Sequence, residues 1–186
     1  MTELPEKDLK VVVIGDGMVG KTCLLITYTT NKFPNHYLPT IFETHYQSVQ
    51  LESGQIINFA LHDTAGQEGY EHLRTLCYSG TDIIIMCFSL TQPESFQNIR
   101  YVWFPEVRTF VPDAKIIIVG TKKDLKMDYQ FCQDLRRSNT VPVTTEQGIS
   151  LSKELGAYQY IGKYYLSLLF RMIEFNYSVN PFNFEI

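Results

Sequence analysis

Three short runs of this chain are apolar almost without interruption: residues 11–14 (VVVI), 82–88 (DIIIMCF) and 115–119 (KIIIV). A strand with one face in water alternates polar with apolar residues. These runs are β-branched and apolar on both faces, the pattern of strands inside a parallel sheet. Between them lie stretches of helical character, KTCLLITYTTN at 21–31 and, after Pro93, ESFQNIRYVWFPEVRTF at 94–110. Strand and helix alternate, which predicts an α/β fold. One segment departs from that alternation. In YQSVQLESGQIINFALHD, residues 46–63, two strand-like segments flank Ser53-Gly54, a pair suited to a tight turn. An antiparallel hairpin is expected there, at the sheet edge.

The length of 186 residues and a 45% hydrophobic content suit one globular domain with ample core. The formal charge is −4 and there is no long Lys/Arg block, so nucleic acid is not an expected partner. Cys23, Cys77, Cys87 and Cys132 are far apart, with no C-x-x-C pair, which suggests neither a disulfide scaffold nor a zinc knuckle and fits a reducing cytosol. The opening MTELPEKDLK is polar and unlike a secretory signal, and the apolar run 83–88 is too short to span a bilayer, so a soluble protein is expected.

Candidate chemistry begins directly behind the first strand. Residues 15–22, GDGMVGKT, match G-x-x-x-x-G-K-[ST] between a predicted strand and a predicted helix. Glycines let the backbone curl until successive N–H groups point inward, and a helix N-terminus adds partial positive charge, so together they form a nest for phosphate oxygens. Lys21 would reach the β- and γ-phosphates, and Thr22 offers a hydroxyl oxygen to Mg²⁺. The plainer alternative is a glycine turn with a solvated lysine. Residues 62–68, HDTAGQE, end the strand-like IINFAL: Asp63 is placed to support Mg²⁺, Gly66 offers a mobile N–H to a γ-phosphate, and Gln67 can orient an attacking water. Residues 120–125, GTKKDL, follow the third apolar run. A buried Asp124 could accept from N1–H and N2–H₂ of guanine, a donor pair adenine lacks, with the stem of Lys122 along the base.

These stretches carry a resemblance to the Rho/Rac small GTPases, from about Leu9 to Tyr160: GDGMVGKTCLL, FPNHYLPTIFE, DTAGQEGYEHLR, MCFSL and VGTKKDL. The resemblance implies a phosphate-loop nucleotide-hydrolase fold with a mostly parallel six-stranded sheet, one antiparallel edge pair and helices on both faces. It divides the chain into a GTPase domain at 1–160 and an atypical segment at 161–186. It implies GTP/GDP binding with Mg²⁺ through Gly15, Asp16, Gly17, Met18, Val19, Gly20, Lys21, Thr22 and Cys23, then Phe33, Tyr37, Thr40, Asp63, Gly66, Gln67, Thr121, Lys122 and Asp124. Metal ligation falls to Thr22, Thr40 and Asp63, and catalysis to Gln67 and Lys21. The first switch and effector region would comprise Tyr37, Leu38, Pro39, Thr40, Ile41, Phe42, Glu43, Thr44 and His45. The second would run from Asp63 to about Leu76, and the helical insert of the family would lie around residues 129–141. Slow hydrolysis follows, since no arginine is placed in cis to complete the site; Arg74, the nearest, reads as a helix-surface residue. The implied protein is a cytoplasmic monomer that signals through effectors, exchange factors and GTPase-activating proteins, to the actin cytoskeleton.

Several positions depart from the pattern. After LGAYQYI the chain reads GKYYLSLLF, with no Ser-Ala pair to close a guanine pocket, and NPFNFEI carries no prenylation signal. Membrane attachment is therefore not expected. Gly162-Lys163-Tyr164 can be encoded by GGT-AAG-TAT, a splice-donor sequence, and the tail then reads as translated intron; alternatively YYLSLLFRMIEF forms a last helix over the sheet, or a membrane-surface segment. His62 stands where many Rho relatives carry tryptophan, and Thr44 and His45 depart from FENY. His36, His45, His62 and His72 lack ligand spacing and read as surface or loop residues. The competing functions are a nucleotide-binding module that sequesters regulators without turnover, and an ATP-dependent kinase, against which Asp124 argues.

Overall fold

The computed structural model describes residues 6–34, 41–51 and 53–162. Six strands form one sheet in the order β2-β3-β1-β4-β5-β6, where β1 is Lys7–Ile14, β2 Phe42–Gln50, β3 Ile56–Thr64, β4 Ile83–Ser89, β5 Lys115–Thr121 and β6 Gln159–Ile161. Every pairing is parallel except β2 with β3, the edge hairpin expected from residues 46–63. The architecture is the mixed α/β sheet that the sequence implied. Helices α1 (Lys21–Thr30), α2 (Glu71–Leu76), α3 (Pro93–Asn98), α4 (Phe104–Phe110), α5 (Lys123–Met127), α6 (Tyr129–Arg137) and α7 (Thr145–Glu154) surround it.

Two hydrophobic clusters lie on opposite faces of the sheet because side chains alternate along each strand. Leu9, Val11 and Val13 of β1 pack with Ile83, Ile85 and Cys87 of β4 and Leu25 of α1. Val12 and Ile14 pack on the other face with Ile84, Met86 and Phe88, under Phe96, Ile99, Trp103 and Val107. Burying each such aliphatic or aromatic side chain contributes about 1.5–3 kcal/mol. All seven residues of β4 are buried, which is why its sequence shows no alternation. By contrast β1 begins four residues before the apolar run, because Lys7, Asp8 and Lys10 are not fully covered and carry polar side chains.

The stretch at 94–110 is not one α-helix. Between α3 and α4 a π-helical turn, Ile99–Trp103, intervenes, and the Phe104 N–H donates to Ile99 O, five residues back. Pro105 explains the break: it has no N–H for the carbonyl four residues earlier, and its ring would collide with that carbonyl. The insert at 129–141 forms α6, started by Asp128, whose side chain accepts from the Phe131 N–H at 2.7 Å. The proposed last helix, YYLSLLFRMIEF, lies outside the described residues. Among the described residues no helix is long and apolar enough to cross a membrane.

Candidate nucleotide site

The C-terminal ends of β1, β3 and β5 point to the same edge of the sheet, and the loops that leave them meet over it. Ligands of open α/β sheets bind at such an edge. The loop after β1 is shaped by its glycines. Gly15 has φ +135°, and a Cβ there would stand 2.1 Å from the Cys87 carbonyl oxygen, so only glycine can pass that close to β4. Gly20, at φ +101°, opens α1 and has no side chain with which to cap it. Lys21 is the first residue of α1 and is 6% exposed; its Nζ donates to Gly15 O and Asp16 O, both at 2.8 Å. Burial lowers its pKa, while Cys87, Asp63 and Asp16 act to keep the ammonium charged. The buried Cys87 thiol behind it is pushed up to about 12 by desolvation and stays protonated.

The second wall is the end of β3. Asp63 is fully buried, level with Val13 on β1 and Glu43 on β2. The Thr64 hydroxyl donates to Val13 O at 2.7 Å, and the Ala65 N–H donates to Ile41 O at 3.2 Å. Gly66 lies against the first loop so closely that a Cβ on it would meet Gly15 O at 2.0 Å and Lys21 Nζ at 2.5 Å. Exposed Gln67 follows, with its Cγ 3.3 Å from where a Cβ on Gly17 would stand. The third wall is the end of β5. The Thr121 hydroxyl reaches Val19 O at 2.5 Å and Phe88 O at 2.9 Å, so it ties the phosphate loop to β4. Lys122 takes the left-handed conformation, φ +56°, and burial lowers its pKa; Cys23 nearby is raised by the same cause. Between these walls lies a cleft of about 290 Å³, bounded by Gly17, Met18, Gly20 to Cys23, Ile26, Pro34, 64–67 and Lys122.

Other expected residues stand elsewhere. Asp124 is exposed in the first turn of α5, a short helix with no buried residue, and not buried as expected for a guanine acceptor. Phe33 is 71% exposed. Tyr37, Leu38, Pro39, Thr40 and His36 lie outside the described residues, while Ile41, Phe42 and Glu43 are exposed at the start of β2. His45 and His62 are not loop residues: both sit half-buried on strands, where the Thr44 hydroxyl lies 3.0 Å from His62 Nδ1 and the Phe42 ring stacks on His62 at 5.6 Å. His72 is exposed on α2.

Arg74 is not a helix-surface arginine either. It is buried and grips Glu106 of α4 through Nε and Nη2, each at 2.8 Å, while Nη1 donates to Ala65 O at 3.0 Å. Burial alone would lower its pKa, but the Glu106 carboxylate outweighs that and raises it. The Tyr78 hydroxyl also donates to Glu106. Asp16, at a variable position of the loop motif, accepts from Trp103 Nε1 at 2.7 Å and from Asn98 Nδ2 at 2.8 Å. No spacing in the sequence pairs these residues; the contacts run across more than eighty positions.

The residues present fit a polyphosphate. A buried ammonium, a helix start with a glycine N-cap and a glycine cradle supply donors and positive charge, with no acidic side chain among the described residues that bound the cleft. Among the described residues no group of three or more His, Cys, Asp or Glu converges, so a cation here would rely on Asp63, a hydroxyl and phosphate oxygens, as Mg²⁺ commonly does. Compared with known families, residues 10–163 match the model described as the Ras family. A match over that much of the chain, with the cleft inside it, decides the matter: the chain belongs to the Ras family of small GTPases, GTP-binding molecular switches.

Proposed function

We propose that within this family the protein is a Rho-like switch that takes GTP or GDP with Mg²⁺ and hydrolyses GTP slowly, acting through effectors, exchange factors and activating proteins, and signalling to the actin cytoskeleton. The observation that carries the nucleotide part is the placement of Lys21: a buried ammonium at the mouth of a glycine cradle, with Gly66 and Gln67 laid against it. The Rho-like part rests on YLPTIFE and on the inserted helix α6.

In this reading Lys21 exchanges the carbonyls of Gly15 and Asp16 for β- and γ-phosphate oxygens, and the N–H groups of 17–22 bind the rest. Thr22, Asp63 and Thr40 would hold Mg²⁺, which when bound neutralises charge on the phosphate oxygens. Gln67 orients the attacking water, and Gly66 offers its N–H to the γ-phosphate. Asp124, two residues after the cleft-lining Lys122, accepts the guanine N1–H and N2–H₂, with Lys122 beneath the base. Arg74 is engaged with Glu106 and Ala65 and takes no part, so an arginine from an activating protein can raise the rate by up to ~10⁵-fold. Binding of GTP sets the state of the two switch regions, and partners read that state.

The test is calorimetric titration of the purified chain with GDP, GTP and ADP in Mg²⁺, followed by single-turnover hydrolysis. Guanine nucleotides should bind far more tightly than ADP, and Gln67→Leu should keep GTP affinity while slowing hydrolysis by about 10²-fold or more. Equal affinity for ADP and GDP would sink the guanine assignment. Tight binding with no turnover in the wild type would favour a sequestering module instead.

A further inference from the structure

Trp103 is the only tryptophan of the chain, and it stands between the two loops of the site. Its indole N–H is spent on Asp16 of the phosphate loop at 2.7 Å, and its ring lies under the Arg74 guanidinium, 4.6 Å from Cζ to centroid. That guanidinium in turn holds the carbonyl of Ala65, next to Gly66 and Gln67. Asn98 secures the other oxygen of Asp16, and the π-helical turn forced by Pro105 ends on Trp103. The post is rigid, because Trp103 is 3% exposed and Arg74 is pinned bidentately to Glu106 on the next helix.

We propose that Trp103 is a positioning residue that ties the phosphate loop to the 64–67 loop through Asp16 on its N–H and Arg74 on its face, so that its emission reports which nucleotide is bound. The inference rests on the GTP-driven switch described above. A shift of the first loop moves the Asp16 carboxylate beside the indole N–H, and a shift of the second withdraws the Ala65 carbonyl from the guanidinium on the indole face. Indole emission responds to charges at such distances. Losing the N–H leaves one Asp16 oxygen without its donor and loosens the register between the loops; a misplacement of about 1 Å in a positioned group can cost ~10²-fold in rate. The effect falls on hydrolysis more than on GDP binding, since Gln67 acts only on GTP.

The experiment uses the full chain loaded with GDP or with a GTP analogue that cannot be hydrolysed, excited at the red edge where tryptophan alone absorbs. A change of emission maximum or intensity between the two states is expected. Trp103→Phe, which keeps a ring under Arg74 but loses the N–H, should hydrolyse bound GTP about tenfold more slowly, with GDP affinity within about twofold of wild type. Identical emission in both loaded states overturns the proposal. So does unchanged hydrolysis in the variant, or a loss of GDP affinity as large as the loss of rate, which would mark a purely structural role. If Trp103→Phe fails to fold, the wild-type emission decides alone. A chain that takes up no guanine nucleotide overturns this proposal together with the function it rests on, and that outcome is distinct from all the others.

Discussion

Removing the Arg74 guanidinium tests the connection between the two loops and α4 most directly. In the native protein it makes three hydrogen bonds, two of them to Glu106, and its side chain is 3% exposed against 13% for its partner. An exposed ion pair would contribute less than about 1 kcal/mol. This one is dry, and Arg74→Leu strands the Glu106 carboxylate with the Tyr78 hydroxyl as its remaining donor among these contacts. Breaking a buried pair from one side costs about 3–5 kcal/mol. At about 2–4 °C per kcal/mol for a domain of this size, the melting temperature should fall by about 6–20 °C. Arg74→Leu combined with Glu106→Gln removes both charges yet leaves an acceptor for Tyr78, so it should recover at least about half of the loss. The assay is denaturant unfolding of all four proteins of the cycle at one saturating concentration of GDP and Mg²⁺, because bound ligand adds to apparent stability. A single-variant loss under about 1 kcal/mol, or additivity in the double variant, would refute the reasoning.

Three further outcomes follow from the same geometry. Gly66→Ala puts a methyl into the Gly15 carbonyl and Lys21 Nζ, so the 64–67 loop must retreat by about 1 Å; single-turnover hydrolysis should drop by ~10²-fold while GDP still binds. Thr121→Val forfeits the bonds to Val19 O and Phe88 O and should cost about 1–3 kcal/mol in denaturant unfolding, whereas Thr121→Ser, which keeps the hydroxyl, should not. His62 has its pKa lowered below 6.5 by burial and then by Lys10, so the neutral form is favoured in the native state. The corresponding stability is present above the unfolded value and is lost as pH falls through the native one; stability should therefore decline less between about pH 7 and 5 in His62→Gln than in wild type, measured by thermal melts, and an identical decline would count against the assignment.

The sheet was readable in advance wherever both faces of a strand are covered. In 82–88 and 115–119 no polar residue interrupts the apolar run after its first position, since none could be tolerated there. The turn of the phosphate loop was readable because a backbone nest needs glycine at fixed intervals, and Gly15 and Gly20 do adopt positive φ. The break at 99–103 carried its own cause in Pro105, which the helical periodicity of the flanking residues hid. The burial of Arg74 carried none. A buried arginine and a surface one look alike in sequence, since what distinguishes them is a carboxylate thirty-two positions away. The exposure of Asp124 and the strand placement of His45 and His62 were misjudged for the same reason: a polar side chain's surroundings are set by whatever packs beside it, not by its neighbours in the chain.

Local composition alone thus dictated the α/β alternation, the edge hairpin and the glycine loop with its lysine, because each depends on backbone conformations and periodicities that a few adjacent residues impose. Folding was required to bring Asp16, Trp103, Arg74, Glu106 and Ala65 into one chain of contacts, and to bury Lys21 against two carbonyls. The bonds of Asp16 to Trp103 and of Arg74 to Glu106 join residues far apart in sequence, and the free energy of a desolvated charge such as Lys21 depends on what surrounds it in space.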